Sequence, residues 1–419
     1  MDVIDKCTRV PIKRSGRYGP QTGIVQKAGN MVVSIKEIRE LRVPLEGQIS
    51  NSVVNFADHD VSLVAIVSDI VRNGKPLVGY GFNSIGRFAQ GGILRERMMP
   101  RLREAAPDMI AGEDTFDCAA VHSVLMRNEK PGGHGDRAAA IAALELGFWD
   151  LNAKIADEPA YATIARHFGR TPSQRVPVYA AGGYYYPDDG NGSQRLKEEL
   201  EGYLSRGFNS FKIKIGGATF RDDLQRIEAA LKVCGSGDKL AVDANGRFDY
   251  ETALLYGRAI APLGLRWYEE ICDPLDYKLN KQIAASYDGA IATGENLFSA
   301  QDAKNLLEFG GMRPNKDIFQ MDAGLSYGLS EFGRVIDLLE SYGFSRTSSF
   351  PHGGHLINLH IVSGMNLGGC EAYPDVFQPF GGYSPECHVA DGFIRPPDHP
   401  GFGLEAKPEL KQFIDKIMS

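Results

Sequence analysis

The chain has 419 residues, enough to bury a large core and to form two domains or one barrel with a cap. Its 46 Lys and Arg against 53 Asp and Glu give a formal net charge of −7, and no basic block is interleaved with aromatics, so nucleic acid is not an expected partner. No apolar run approaches the roughly 18 residues of a membrane span, no signal-peptide core stands near the N-terminus, and the six scattered cysteines form no CxxC pair, which together predict a cytoplasmic protein with free thiols.

Residues 1–30 carry Lys6, Arg9, Lys13, Arg14, Arg17 and Lys27 against Asp2 and Asp5, with little hydrophobic periodicity, and read as a poorly ordered N-terminal extension. Residues 31–165 read as an α+β capping domain. A first strand begins near Met31, and the runs starting at Val61 and Leu77 meet across Asn73-Gly74 as an antiparallel hairpin. From about 91 to 156 the period becomes helical, most clearly from Arg137 onward, with Asp136 as the expected N-cap.

From residue 166 to 375 a strand and an amphipathic helix alternate about every 25 to 30 residues. Eight strand candidates fall at 176–183, 211–217, 240–246, 267–271, 290–296, 318–324, 346–353 and 369–374. Eight βα units predict an α/β fold with a closed (β/α)8 barrel, and an open doubly wound sheet is the alternative. Residues 376–419, rich in Gly, Pro and aromatics, are expected to return to the cap.

The chemistry is expected where a barrel keeps it, at the strand ends. In the second candidate, Phe211, Ile213 and Ile215 share one face and Lys212 and Lys214 the other. Were the apolar face packed on helices, both lysines would point inward and need carboxylates or an anion to balance them; an exposed edge strand is the alternative. Asp243, Glu269 and Glu295 follow at intervals of 26 residues, one βα unit each, which predicts three carboxylates at one height around a hard cation such as Mg2+. Asn245 shares the face of Asp243. Asp322 and His352 end neighbouring strands, where the carboxylate would orient the imidazole for proton transfer, although His352 could instead cap the next helix. His355 and His360 raise the lesser alternative of a zinc site, without an HExxH. The last strand offers Glu371, as a hydrogen-bonding acid at the barrel floor or as a structural carboxylate. The Gly132-Gly133-His134-Gly135 and Gly79-Tyr80-Gly81 runs lack the residues of a phosphate loop.

The ordered set Lys212-x-Lys214, Asp243, Glu269, Glu295, Asp322, His352 and Glu371 resembles the enolase superfamily in its mandelate racemase subgroup. The segments starting at Asn128 (NEKPGGHG), Ala181 (AGGYYYP), Asp273 (DPLDY) and Tyr373 (YPDVFQP) extend the resemblance to most of the chain after Met31. It implies an enolase-like barrel, a homo-oligomer, and Mg2+ held by Asp243, Glu269 and Glu295. It also implies Lys214 as the base, Lys212 as a carboxylate contact that lowers the pKa of Lys214, and His352, oriented by Asp322, as the general acid. The implied substrate is a small dicarboxylate or acid sugar, D-tartrate above all, losing water by way of a metal-stabilised enediolate to give oxaloacetate. Asn51, Asn83, Lys130, Tyr186, Asn245 and Glu371 are the implied substrate contacts, Lys130 serving a distal carboxylate. A racemase or epimerase on the same scaffold is the alternative, and a catalytically silent metal-stabilised protein would be expected to lack one of these residues.

Overall fold

The computed structural model describes residues 32–112, 114–187 and 192–419. Residues 1–30, read above as an extension, lie outside them. The described part opens with a three-stranded antiparallel sheet of β1 (Ile35–Pro44), β2 (Asp60–Arg72) and β3 (Lys75–Phe82), in that order. The expected hairpin is there. Arg72 pairs with Lys75, and Asn73 (φ 53°) and Gly74 (φ 74°) take the left-handed conformations that let a two-residue turn follow the strand twist.

The sheet packs on the 21-residue helix Asp136–Ala156, which is almost wholly buried. The approach is close because glycine faces glycine: a Cβ on Gly81 would stand 2.3 Å from the Ala143 carbonyl and 2.6 Å from the Gly147 nitrogen. Asp136 is the first residue of this helix, and the cap position falls one residue earlier, on Gly135 (φ 69°).

Seven parallel strands follow: β4 (Val176–Gly182), β5 (Phe211–Lys214), β6 (Leu240–Asp243), β7 (Tyr268–Glu269), β8 (Ile291–Thr293), β9 (Ile318–Phe319) and β10 (Cys370–Ala372). They pair in the order β10-β4-β5-β6-β7-β8-β9. The seventh barrel position, between β9 and β10, is not a regular strand. Residues Arg346–Ser348 form a 3-10 turn, and only Ser349 and the Phe350 nitrogen reach Phe319, while Gly368 donates to the Ser349 carbonyl at 3.0 Å. These bonds complete the ring expected from the eight-fold alternation. A short β11 (Phe393–Ile394) lies antiparallel on the start of β4.

Helices after β5 to β8 begin on the polar caps Thr219, Asp249, Asp276 and Ser299, each accepting a backbone N–H of its helix. Phe211, Ile213 and Ile215 are fully buried, each contributing on the order of 1.5–3 kcal/mol. β5 is an interior strand, so the edge-strand alternative does not apply. The barrel interior beneath the lysines is plugged by Tyr179, Ala241, Trp267, Ala292 and Phe350. The helix Pro408–Met418 returns to β1, where Arg39 Nη1 donates to the Ile417 carbonyl at 3.0 Å. Cys118, Cys234, Cys272, Cys370 and Cys387 are free thiols, and no described helix is long and apolar enough to cross a membrane.

Candidate active site

Sheet register sets the site. Lys214 lies directly across from Asp243, and Asp243 from Glu269. Glu269, however, pairs with Ala292, so Glu295 stands past the end of β8 rather than level with the other two acids. Equal sequence spacing does not give equal height, because loops and strand starts vary from one unit to the next. Gly294 (φ 126°) turns the chain beyond the strand, and the ligand oxygens of Asp243, Glu269 and Glu295 still fall within 4.8 Å of one another.

The lysines point inward and are paired. Lys212 Nζ lies 2.5 Å from Glu269 Oε1, 2.7 Å from Glu371 Oε1 and 3.6 Å from Asp243 Oδ2. Lys214 Nζ donates to Asp243 Oδ2 at 2.5 Å. Burial pulls the Lys214 pKa down and so does the repulsion of Lys212, the effect that the resemblance implies, but the ion pair with Asp243 outweighs them and the net shift is upward. Burial pushes Asp243 up, yet Lys214 and Lys212 hold it ionised, down to about 2. Glu269, buried and crowded by Asp243 and Glu371, is pushed up to about 8.

A fifth acid joins them. The run Trp267 to Glu270 suggested only Glu269 as the inward group, since strand neighbours point to opposite faces. At Glu270 the backbone leaves the strand (φ 37°), and this buried side chain lines a cavity together with Lys214 and Glu295, accepting from Asn296 Nδ2 at 2.8 Å. Burial, Glu295 and Asp243 push it well above the usual carboxylate range. Asp243, Glu269, Glu270, Glu295 and Glu371 thus gather around two ammonium groups and one imidazole. Glu295 Oε2 is buried without a hydrogen-bond partner. An all-oxygen donor set with this excess of acid fits a hard divalent cation.

His352 faces the acids. Its Nδ1 is 3.3 Å from Asp322 Oδ2, its Nε2 3.0 Å from the Tyr373 hydroxyl and 3.9 Å from Glu295 Oε2. Burial alone would suppress the imidazolium, but Glu295, the Asp322 bond and Glu371 raise its pKa to about 9. The cap of the next helix is His355, whose Nδ1 accepts from the Asn358 nitrogen, so His352 is spared that role. His355 and His360 belong to no metal-type group among the described residues: His355 Nε2 lies 3.0 Å from the Ser84 hydroxyl and His360 Nδ1 accepts from the Tyr161 nitrogen. Among the described residues, the one group of this kind able to hold a metal is Asp243, Glu269 and Glu295.

Between the barrel mouth and the loops carrying Asn51 and Arg87 lies a cavity of about 230 Å3, lined also by Lys214, Asn245, Glu295 and His352. Asn245 meets the acid cluster, its nitrogens bonding to Asp243 while its Oδ1 has no partner. Glu371 lies deeper, between Lys212 and the Gly353 nitrogen. Three further sequence candidates do not line the cavity. Asn83 is fully buried and committed to backbone, accepting from the Ser62 nitrogen and donating to the Arg87 carbonyl. Lys130 is exposed on the loop before Asp136–Ala156. Tyr186 lines a separate surface groove beside Glu199, whose Oε1 its hydroxyl approaches at 3.4 Å. Tyr373, Asn296 and Arg87 were missed, because single polar residues in loops carry no periodic signal. Tyr373 alone had a cue, lying in the segment that opens the last motif.

Residues 195–410 match the family described as enolase C-terminal domain-like. The L-talarate/galactarate dehydratase of Salmonella typhimurium is 27% identical over 88% of this chain and 88% of that protein. The 3,6-anhydro-alpha-L-galactonate cycloisomerase of Streptomyces coelicolor is 30% identical over 67% of this chain and 73% of its own length. A crystal structure of a racemase from Streptomyces coelicolor with bound magnesium superposes with a TM-score of 0.72 at 23% identity, covering 91% of this chain and 99% of that one. With the match to its C-terminal domain spanning half of the sequence and the eight-position barrel beneath, the chain belongs to the enolase superfamily.

Proposed function

We propose that this protein is a Mg2+-dependent dehydratase of a small acid sugar, with D-tartrate, converted to oxaloacetate and water, as the leading substrate. In this reading residues 31–165 cap a barrel at 166–375, and 376–419 return to the cap. The observation that carries the reading is one cavity lined at once by Lys214, His352 and the orphaned carboxylate of Glu295. The relatives named for dehydration of L-talarate and galactarate support the reaction class. A cavity of about 230 Å3 is below the roughly 300–1,000 Å3 typical of drug-sized ligands, which favours a short diacid.

Asp243, Glu269 and Glu295 would hold the ion, which when bound neutralises the substrate carboxylate and makes the adjacent C–H more acidic. Lys212, buried against Glu269 and Glu371, places a fixed positive charge beside the same carboxylate. Lys214 takes the α proton; among the described residues its one ion-pair partner is Asp243, so engaging that carboxylate elsewhere would let the ammonium lose its proton and serve as the base. The electron pair left on the α carbon forms the C=C bond as the β C–O bond breaks. His352, held by Asp322 and Tyr373, donates its proton to the departing hydroxyl, which leaves as water. The enol then tautomerises to the keto acid. Asn51 and Asn245 are the cavity residues read as substrate contacts.

Proton NMR of the protein with Mg2+ in D2O, against tartrate isomers and larger acid sugars, tests this. A keto acid from one isomer is the expected result. Deuterium at the α carbon with inversion and no loss of water would replace dehydration with racemisation, which the same Lys214 and His352 could perform from opposite sides.

A further inference from the structure

The cavity contains one cation that the proposed chemistry does not use. Arg87 follows β3 on the cap side, and its guanidinium carbon lies 5.0 Å from the centre of the Phe298 ring. Its Nη2 donates to Asn296 Oδ1 at 3.1 Å, and its Nε is buried without a partner. Among the described residues no carboxylate forms an ion pair with it. The preceding Gly86 places the loop against the imidazole, since a Cβ there would lie 3.9 Å from His352 Cε1. Beside it, Asn51 has its Oδ1 tied to the Val53 and Val54 nitrogens, so its amide N–H groups are uncommitted.

A buried guanidinium N–H without an acceptor is costly, and a side-on carboxylate would satisfy Nε and a terminal nitrogen together through two parallel bonds. The other charged groups lining the cavity are Lys214, Glu270, Glu295 and His352. The lysine is closed onto Asp243, and the imidazole is shared among Asp322, Tyr373 and Glu295. Lys130, which the sequence suggested for a distal carboxylate, is exposed outside the cavity, its carbonyl held by Arg137.

We infer that Arg87 is the specificity-determining residue for the second carboxylate of a small dicarboxylic acid. One carboxylate would face the acid cluster and Lys212, and the other would be gripped by Arg87 with Asn51 at its side. This rests on the reading of the cavity as an acid-sugar site and adds that both ends of the substrate are charged.

The test is calorimetric titration of the full chain with Mg2+ in a Lys214→Ala background, which stops turnover, comparing D-, L- and meso-tartrate with glycerate, the same skeleton without its second carboxylate. Arg87→Gln should weaken the preferred tartrate by about 10- to 100-fold, the range for hydrogen bonds to a charged group, and leave glycerate within about 3-fold. Arg87→Lys should keep part of the preference, since it retains the charge without the fork, and it serves if Arg87→Gln fails to fold. Equal weakening of both acids, an unchanged tartrate affinity, a selective loss in Lys130→Gln instead, or tartrates binding no better than glycerate would each overturn the inference. A selective loss in Arg87→Gln with no keto acid formed by the wild type would keep Arg87 in this role and reject the dehydratase.

Discussion

Two buried charge clusters in this molecule look alike in composition and differ in how completely their bonds are closed. At the seam between the helix Asp136–Ala156 and residues 401–405, Lys154 Nζ donates to the Val78 carbonyl at 2.9 Å and pairs with Asp150 at 2.6 Å and with Glu405. Asp150 also accepts from the Tyr80 and Phe402 nitrogens. All the polar atoms just named are satisfied. At the barrel mouth the same ingredients leave Glu295 Oε2, Asn245 Oδ1 and Arg87 Nε buried and unpartnered around a cavity. Two histidines repeat the contrast: His352 among acids is raised to about 9, while His360, beside the rings of Tyr161 and Phe402, is lowered to about 3 by burial. A closed cluster holds the fold together. An open one is arranged for something that arrives later.

Four changes would break or sharpen that contrast. The largest effect is expected from Lys214→Ala, which should cut α-proton exchange in D2O by at least about 10³-fold, toward the upper range for a general base, with Mg2+ affinity largely kept; exchange at the wild-type rate would remove Lys214 from its proposed role. Lys154→Met should do the reverse, destabilising the fold by about 3–5 kcal/mol because it strands the buried Asp150 carboxylate, while turnover per folded molecule stays near wild type. Denaturant unfolding and active-site titration would separate the two outcomes. Mg2+ at about 100 times its Kd should stabilise the wild type by about 2.7 kcal/mol, and Glu269→Gln should lose most of this. An equal gain in the variant would place the ion elsewhere.

The smallest effect, taken per pH unit, concerns acid. His360 is buried neutral, with its folded pKa below the unfolded value near 6.5. The unfolded chain therefore binds the extra proton between pH 6.5 and about 3. This contribution is fully present above pH 6.5 and is lost on acidification at up to about 1.4 kcal/mol per unit. His360→Gln should flatten that part of the stability profile; an unchanged slope would assign it to other groups.

Lys212, Lys214, Asp243 and Glu269 were legible in the sequence because strand alternation and barrel register act on them directly. Glu295 was legible as a member of the acid cluster but not in its height, since pairing sets Glu269 opposite Ala292. Glu270 and Arg87 were not legible. One depends on a positive φ that breaks the alternation, the other on a loop whose position only tertiary packing determines. Asn83 and Tyr186 show the converse, since a motif can retain a polar residue whose side chain is engaged elsewhere. The seventh barrel position reads as a strand from the spacing of the βα repeat alone, yet Arg346–Ser348, capped by Ser345, wind into a 3-10 turn that shortens it to a single bridge.

The plug of Tyr179, Trp267 and Phe350 beneath Lys212 makes the barrel a cup rather than a tube. Whatever reaches Lys214 must enter and leave past the same rim, under the loops that carry Asn51 and Arg87. Traffic is then two-way through one door, so a departing product and an incoming substrate exclude each other, and the grip that selects the substrate also sets how long the product lingers.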